Sequence, residues 1–496
     1  MTTLHSPLTV DARLPTVIGT GSVRLGPRIE VAAGRNPLSR TEVRMNDARR
    51  FVVIGGGLAG LASAVWLAEA GKRVTLLERR ARLGGRTQAM TVAEVGDTPD
   101  NGQHVIASGY HHLFRYLASI GTEKYLEFPT GGTLRWPGGR ATALHTRGIR
   151  AFGTLLGAHP DAGFGERLAA ARATMRLGLQ CLFQPADLAD ITTEQWFERI
   201  GMPAKAREAL WDWLALGIAA EPVQRECAKV FADVLATGIR LGVRDRRAVT
   251  IGYPTVDLDT LYITGAEEVF RRHGVEVRYR AVADRIRIVD GAVTGVDLVD
   301  GTTVPADAVI CAVPNSRIHG LLDDLPEHAG IYAAADKLGA TPIVSTNLYL
   351  DRPLGTRSAM EAIIGGTGVI DEVFDRQRMH GREPNGTWLY CLTTSGAYEQ
   401  IHKSSDDIID EQMDLLRRYY PEAADARVVH GHVVKMPKAT FSQALGTDGL
   451  RPDQRTSVPT LMLAGDWTST DWSATMESAV QSASKAVAAL LRLPPL

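Results

Sequence analysis

Cysteine is scarce in this chain. Four of 496 residues, Cys181, Cys227, Cys311 and Cys391, stand far apart and form no CxxC pair. That spacing excludes a disulfide-stapled secreted scaffold and predicts reduced core thiols with no metal site. An excess of one charge is lacking too: 55 Lys and Arg against 56 Asp and Glu leave a net charge of −1. Nucleic acid is given no electrostatic hold by such a balance. Nowhere do about 18 apolar residues run together, so no membrane-spanning helix is expected. No unbroken apolar core of signal-peptide length follows Met1, and the expected location is cytoplasmic. With 45% hydrophobic and 22% charged residues the composition is that of an ordinary globular protein, long enough for two or three domains.

Residues 1–50 stand apart. They hold eight Arg and four acids (8 − 4 = +4), scattered Pro and Gly, and no sustained period. Residues 1–45 read as a disordered extension. Met45 lies just before the first apolar run, and the expectation is that the first 44 residues are dispensable.

What is present is concentrated at Phe51–Gly60, FVVIGGGLAG. Phe51–Ile54 reads as a buried parallel strand, Gly55-Gly56-Gly57-Leu58-Ala59-Gly60 fits G-x-G-x-x-G, and Leu61–Ala70 continues as helix. Gly55 permits the tight turn, Gly57 lets backbone approach a pyrophosphate, and Gly60 lets helix pack on strand. Leu58 and Ala59 then open a helix whose free N–H groups and positive dipole end face the phosphates. Lys72–Leu77 reads as the next strand, and Glu78 follows Gly55 by 78 − 55 = 23 residues, the place of an acid that accepts from ribose hydroxyls. The pattern predicts a dinucleotide site on a βαβ unit.

Past the second strand comes Glu78-Arg79-Arg80-Ala81-Arg82-Leu83-Gly84-Gly85-Arg86. It resembles the GG-Arg motif of the FAD-dependent amine oxidase and carotenoid desaturase superfamily. By that resemblance FAD is the cofactor, Gly84 and Gly85 lie against it, Arg86 offers a cationic fork to the pyrophosphate, and Arg80 lies near the adenosine end, with Arg79 a further cofactor-binding candidate. Asp100-Asn101-Gly102-Gln103-His104, followed by Gly109-Tyr110, is most similar to the hydroxysqualene dehydroxylases (squalene-associated FAD-dependent desaturases). The resemblance implies that Gly102, Gln103 and His104 border the flavin. His104 is then either a proton donor or a histidine satisfied by backbone; Tyr110 and Lys435 are weaker candidates for the acid. Near Val282 the family lays backbone beside the adenine.

At the far end Thr460–Asp466 reads as a strand ending in Gly465-Asp466, and Ala474-Thr475-Met476 opens a long small-residue helix. In glutathione-reductase-type flavoproteins such a carboxylate holds the ribityl chain, and the helix N-terminus faces the flavin pyrimidine, where reduced flavin carries negative charge. Ser478 and Ala483-Ser484 replace residues usual in that helix.

The fold expected is α/β: a Rossmann-like FAD-binding domain of glutathione-reductase type with an inserted α+β substrate domain. The first is assembled from 46–125, 265–330 and 436–496, the second from 126–264 and 331–435. Leu134–Arg140 reads as a hairpin, and Val275–Arg280, Ala281–Ile288 and Ala292–Leu298 as strands turning at Asp290-Gly291 and Asp300-Gly301. In the helix over Gly165–Phe183, Leu168, Ala171, Met175, Leu179 and Leu182 share a face. A core-facing helix is the first reading of that stripe; the second is an interfacial helix making peripheral contact with the inner face of a membrane. An apolar isoprenoid is the expected partner. Reductive dehydroxylation of hydroxysqualene, desaturation of a polyene and a non-catalytic FAD scaffold are the classes left open, with amine oxidation the poorer fit.

Overall fold

The computed structural model describes residues 49–145, 154, 159–183, 185–244, 250–322, 326–366, 368–381 and 386–492. The expected N-terminal extension lies outside them. In chain order the strands that frame the site are β1 (Arg50–Ile54), β2 (Arg73–Glu78), β3 (Gly131–Arg135), β4 (Ala141–His145), β5 (Glu276–Tyr279), β6 (Ala308–Cys311), β7 (Thr341–Leu350), β8 (Met360–Ile363), β9 (Glu372–Asp375), β10 (Trp388–Ser395), β11 (Val428–Thr440) and β12 (Leu461–Leu463). The helices are α1 (Leu58–Glu69), α2 (His111–Ile120), α3 (Phe164–Phe183), α4 (Asp212–Ala219), α5 (Ala228–Arg244), α6 (Ser405–Tyr419) and α7 (Met476–Leu491).

A five-stranded parallel sheet runs in the order β12-β6-β1-β2-β5. Its central strand is apolar on both faces because both faces are covered, as parallel sheets require. Leu58 to Ala68 of α1 are all buried, so this helix has no polar face to give to water. The small residues of α7 let it lie close: Ala479, Val480 and Ala483 share a core with Val53, Leu61 and Val65. The expected strand at Val275–Arg280 forms, but as the edge of this parallel sheet beside β2, not as part of the meander that follows. That meander, Ala283–Pro305, is antiparallel, and positive φ at Asp290, Gly291 and Gly301 makes its turns.

A seven-stranded sheet runs β11-β7-β10-β9-β8-β3-β4, antiparallel except where β8 meets β3. Alternation gives it two unlike faces. Leu348, Leu392 and Val373 pack under α6 with Met413 and Leu416. The opposite face looks onto the cavity described below. Helical material closes the far side of that cavity, held by Trp196, Phe197, Trp211 and Phe231 around Leu177 and Ala232. Neither β11 nor α5 is expected from sequence, yet both line the cavity.

The core-facing reading of α3 is wrong. Leu168, Met175, Leu179 and Leu182 do share a face, but they are 43%, 63%, 49% and 45% exposed, with Phe164 and Phe183 at 85% and 79%. The face turned inward carries Ala170, Ala173, Leu177 and Cys181, whose smaller side chains fit against α5. Period alone fixes which residues share a stripe; it does not say which stripe meets the core.

All four cysteines are buried thiols. Among the described residues no helix is long and apolar enough to cross a membrane, and no cluster of His, Cys, Asp and Glu stands ready for a metal.

Candidate functional site

The glycine loop leaves β1 at Gly55, whose φ of +104° and whose N–H to Leu77 O (2.8 Å) set the turn. A Cβ there would fall 2.7 Å from Ala312 O. At Gly60 a Cβ would lie 1.7 Å from Gly55 O, so helix and strand touch through this residue, and it does not line the cavity. Gly57 differs: only Gly85 Cα, 4.0 Å away, lies near a Cβ built there. It caps α1 without a side-chain hydrogen bond, which leaves first-turn N–H groups at Leu58 and Ala59 beside the cavity. Gly84 and Gly85 lie against this loop, Gly84 bridging to Gly57.

Glu78, 5% exposed at the end of β2, accepts from Gly56 N–H (2.8 Å) and Arg80 N–H (2.7 Å). It therefore holds the glycine loop, and a carboxylate has lone pairs left for a ribose hydroxyl. Arg80 reaches back to Gly85 O (3.2 Å), and Arg79 lines the same end. Val282, 41% exposed, lines this end as well; its carbonyl is already taken by Val299 N–H (2.9 Å).

Arg86 donates to Asp466 Oδ1 (2.7 Å) and Ala439 O (2.8 Å), joining the second glycine loop to the end of β12. Gly465, at φ +134°, turns the chain there. Thr475 caps α7 by accepting from Ser478 N–H (3.2 Å), and Ala474, Thr475 and Met476 face the cavity. Arg451 clamps this segment, reaching Asp466 O (2.8 Å), Trp472 O (2.7 Å) and Ser478 Oγ (2.8 Å). Ser478, where the family helix usually has glycine, thus gains a partner. Burial pulls the Arg451 guanidinium down to about 10.

The Asp100–His104 segment crosses between the two sheets. Asp100 pairs with Arg376 (2.8 Å), both nearly fully buried, and accepts from Leu258 N–H (2.9 Å). Burial raises its carboxyl to about 6 even with that cation beside it. Gln103 Oε1 accepts from Arg376 (2.5 Å), while Gln103 Nε2 is buried without a partner. His104 lines the cavity, and its Nδ1 has no partner either, so the backbone-satisfied reading does not describe it. Burial and then the neighbouring Arg86 hold this imidazole down at about 4. It is neutral at pH 7 and a poor proton donor. Tyr110 stays a phenol, because burial and then the Glu477 charge push it far up. Its ring meets Trp472 edge to face at 5.0 Å and 83°, so the two aromatics pack on each other and leave no slot between them. Lys435 is not brought to the cavity: its ammonium donates to Lys403 O, and strand alternation turns Met436 and Lys438 inward instead.

A single cavity of about 1920 Å³ collects these groups. Every residue expected in the site lines it except Gly60 and Lys435. From the glycine loops it continues past His104 to Trp211, Trp213, Leu214 and Met175 of α3. That is well beyond the ~300–1,000 Å³ of an ordinary small-ligand pocket. Arg376, Arg451 and Glu372, also at or beside the site, are missed by sequence reasoning.

The pattern of the flavin containing amine oxidoreductases matches residues 58–491. This chain belongs to that family. The pyridine nucleotide-disulphide oxidoreductase pattern matches residues 15–97. Among curated relatives, the 15-cis-phytoene desaturase of Arabidopsis thaliana is 25% identical over 475 residues, 91% of this chain and 81% of that one. A probable zeta-carotene desaturase of Synechococcus elongatus is 24% identical over 482 residues, 89% of this chain and 98% of that one. Among solved structures, an oxidoreductase from Methanosarcina mazei has TM-score 0.68 at 15% identity, covering 88% of this chain and 98% of its own. Cyclohexylamine oxidase from Brevibacterium oxydans has TM-score 0.67 at 18% identity, covering 90% and 99%. The fold is that of these Rossmann-type oxidoreductases, and the protein is an FAD-dependent oxidoreductase. The cavity fits such a group: a dinucleotide-sized space, an uncapped helix N-terminus, and orphaned polar atoms on Gln103 and His104.

Proposed function

We propose that the protein removes the allylic hydroxyl of hydroxysqualene reductively, giving squalene, with FAD as the resident redox group. The observation that carries the reading is the one continuous cavity, which runs from the glycine loops to an apolar chamber behind α3. On this reading the pyrophosphate lies over Gly55, Gly57, Leu58 and Ala59, with Gly84, Gly85 and Arg86 on its other side. Glu78, Arg79, Arg80 and Val282 take the adenosine end. Asp466 takes the ribityl chain, and Ala474, Thr475 and Met476 face the pyrimidine. Gly102, Gln103 and His104 run beside the ring, Gln103 fixed by Arg376. Bound FAD supplies two-electron hydride chemistry. The protein's part is to exclude water, hold the substrate carbon within near-attack distance, roughly 3–3.5 Å, and provide a proton. The FAD domain is assembled from 46–125, 265–330 and 436–496, and the insertions 126–264 and 331–435 make the substrate domain.

The exposed apolar stripe of α3 supports peripheral docking on a membrane, from which a hydrocarbon-soluble substrate enters beside Met175. Oxidative desaturation of a carotenoid is the second reading, favoured by the names of the curated relatives. Amine oxidation lacks support in the site, since Tyr110 and Trp472 close on each other. Anaerobic incubation of photoreduced enzyme with hydroxysqualene separates these readings. Flavin reoxidation with formation of squalene is expected; no reoxidation, together with dehydrogenation of phytoene by oxidised enzyme, replaces the dehydroxylase reading by the desaturase one.

A further inference from the structure

The chamber behind the flavin site is walled by Ile343, Met360, Phe374, Trp211 and Leu214. A row of polar side chains crosses this wall. Ser345 on β7 stands opposite Thr393 on β10, and Thr393 opposite Glu372 on β9, so all three share one face of the sheet, and all three line the cavity. Directly opposite residues lie about 5 Å apart, which makes the row about 10 Å long. Its near end touches the flavin-side segment, because a Cβ on Gly102 would come 2.8 Å from Ser345 Oγ. At its far end Glu372 Oε1 accepts the indole N–H of Trp213 (3.1 Å). Between them Thr393 Oγ1 is buried with no partner. A pure hydrocarbon would leave this row desolvated and unpaired.

We propose that Glu372 is the proton donor to the hydroxyl of a polyprenyl allylic alcohol in this chamber, and that Thr393, directly opposite it, recognises the same oxygen. The inference rests on the dehydroxylase reading and gives it an acid, a role for which His104, neutral and depressed, is unsuited. The carboxyl proton passes to the hydroxyl oxygen. The C–O bond then breaks and its electron pair leaves on water. A hydride from reduced FAD, the reductant, fills the allylic carbon, and the carboxylate recovers its proton from solvent. Burial pushes both Glu372 and its neighbour Asp371 above the ordinary carboxyl range. Glu372 itself is raised to about 7, which leaves part of it protonated at neutral pH. The groups facing Glu372 are few: the Trp213 indole from α4 donates to it, Asp371 lies just before β9, and on β10 the Cys391 thiol, raised by burial to about 12, feels the Glu372 charge. Among the described residues no ion pair reaches it.

The test uses holoenzyme and two probes, hydroxysqualene and squalene. Titrated against oxidised enzyme and read by flavin absorbance, the wild type should bind the alcohol at least ~10-fold more tightly than the hydrocarbon, and Thr393→Val should erase most of that preference. In single turnover, Glu372→Gln should slow reoxidation of reduced flavin by hydroxysqualene ~10²–10⁴-fold, with Glu372→Asp partly restoring it. The wild-type rate should fall as pH rises through the carboxyl's pKa. Trp213→Phe removes a donor that favours the carboxylate, so the inflection should move to higher pH. Glu372→Gln with the wild-type rate and profile, or Trp213→Phe with an unmoved inflection, overturns the inference and leaves the dehydroxylase reading standing. Wild type that neither prefers nor consumes the alcohol overturns both.

Discussion

Gly57 and Gly60 sit three residues apart in one loop and carry opposite burdens. A side chain at Gly57 meets almost nothing of the protein, whereas one at Gly60 runs into Gly55 O. Gly57→Val should therefore fold with near-native melting behaviour but purify colourless, because the added methyls fill space assigned to the pyrophosphate. Gly60→Val should instead lose about 3 kcal/mol or more of stability, since backbone cannot yield as a flexible side chain does. Flavin absorbance and melting of the two variants check this pair; full flavin in soluble Gly57→Val would remove the loop from the cofactor site. The same contrast shows what was legible here. The glycine spacing, Glu78, Arg86 and Asp466 are read from local motifs whose chemistry is written in residue type. Arg376 and Glu372 carry no such mark, because their meaning comes from partners 276 and 159 residues away, Asp100 and Trp213.

Helices and strands of strong pattern were legible nearly to their ends. His111–Ile120 and Ala292–Leu298 form where expected, and the small-residue helix begins at Met476. β8, β9, β11 and α5 are not announced: β8 and β9 are short, β11 has no clean alternation, and α5 spreads small residues where a stripe would be sought. α3 forms where its period places it but turns its larger apolar residues outward. Replacing Leu179 and Leu182 by Glu leaves the cavity lining and the buried face untouched. The double variant should keep its flavin and lose liposome affinity on the order of 10-fold or more, from the apolar area withdrawn from lipid. Co-sedimentation with vesicles checks it, and equal binding by both proteins would make α3 an ordinary surface helix.

At the scale of the whole molecule, stability should respond to pH through carboxyls the fold keeps neutral. Glu226 is fully buried between the Thr193 segment and Ala444. Burial pushes its carboxyl well above the ordinary 4.5, opposed by Thr193 and reinforced by the Glu221 charge. A folded-state pKa raised in this way contributes stability that is complete below the unfolded value and is lost as pH rises through the folded one. Wild type should therefore lose melting temperature relative to Glu226→Gln from about pH 4.5 upward; parallel melting curves across that range would show Glu226 ionised in the fold. The α/β architecture is legible because each half announces its own period, apolar runs for the parallel sheet and mixed helices and strands for the insertions. How the halves share one cavity is not, since no local pattern encodes a space between segments. The ion pair of Arg86 with Asp466 spans 380 positions of sequence. Synthesis proceeds from one end, so a growing chain has made its glycine loops long before the carboxylate that pairs with Arg86 exists. That tie is thus among the last contacts translation delivers, and a ribosome that stalls before β12 releases a polypeptide whose Arg86 lacks its carboxylate partner.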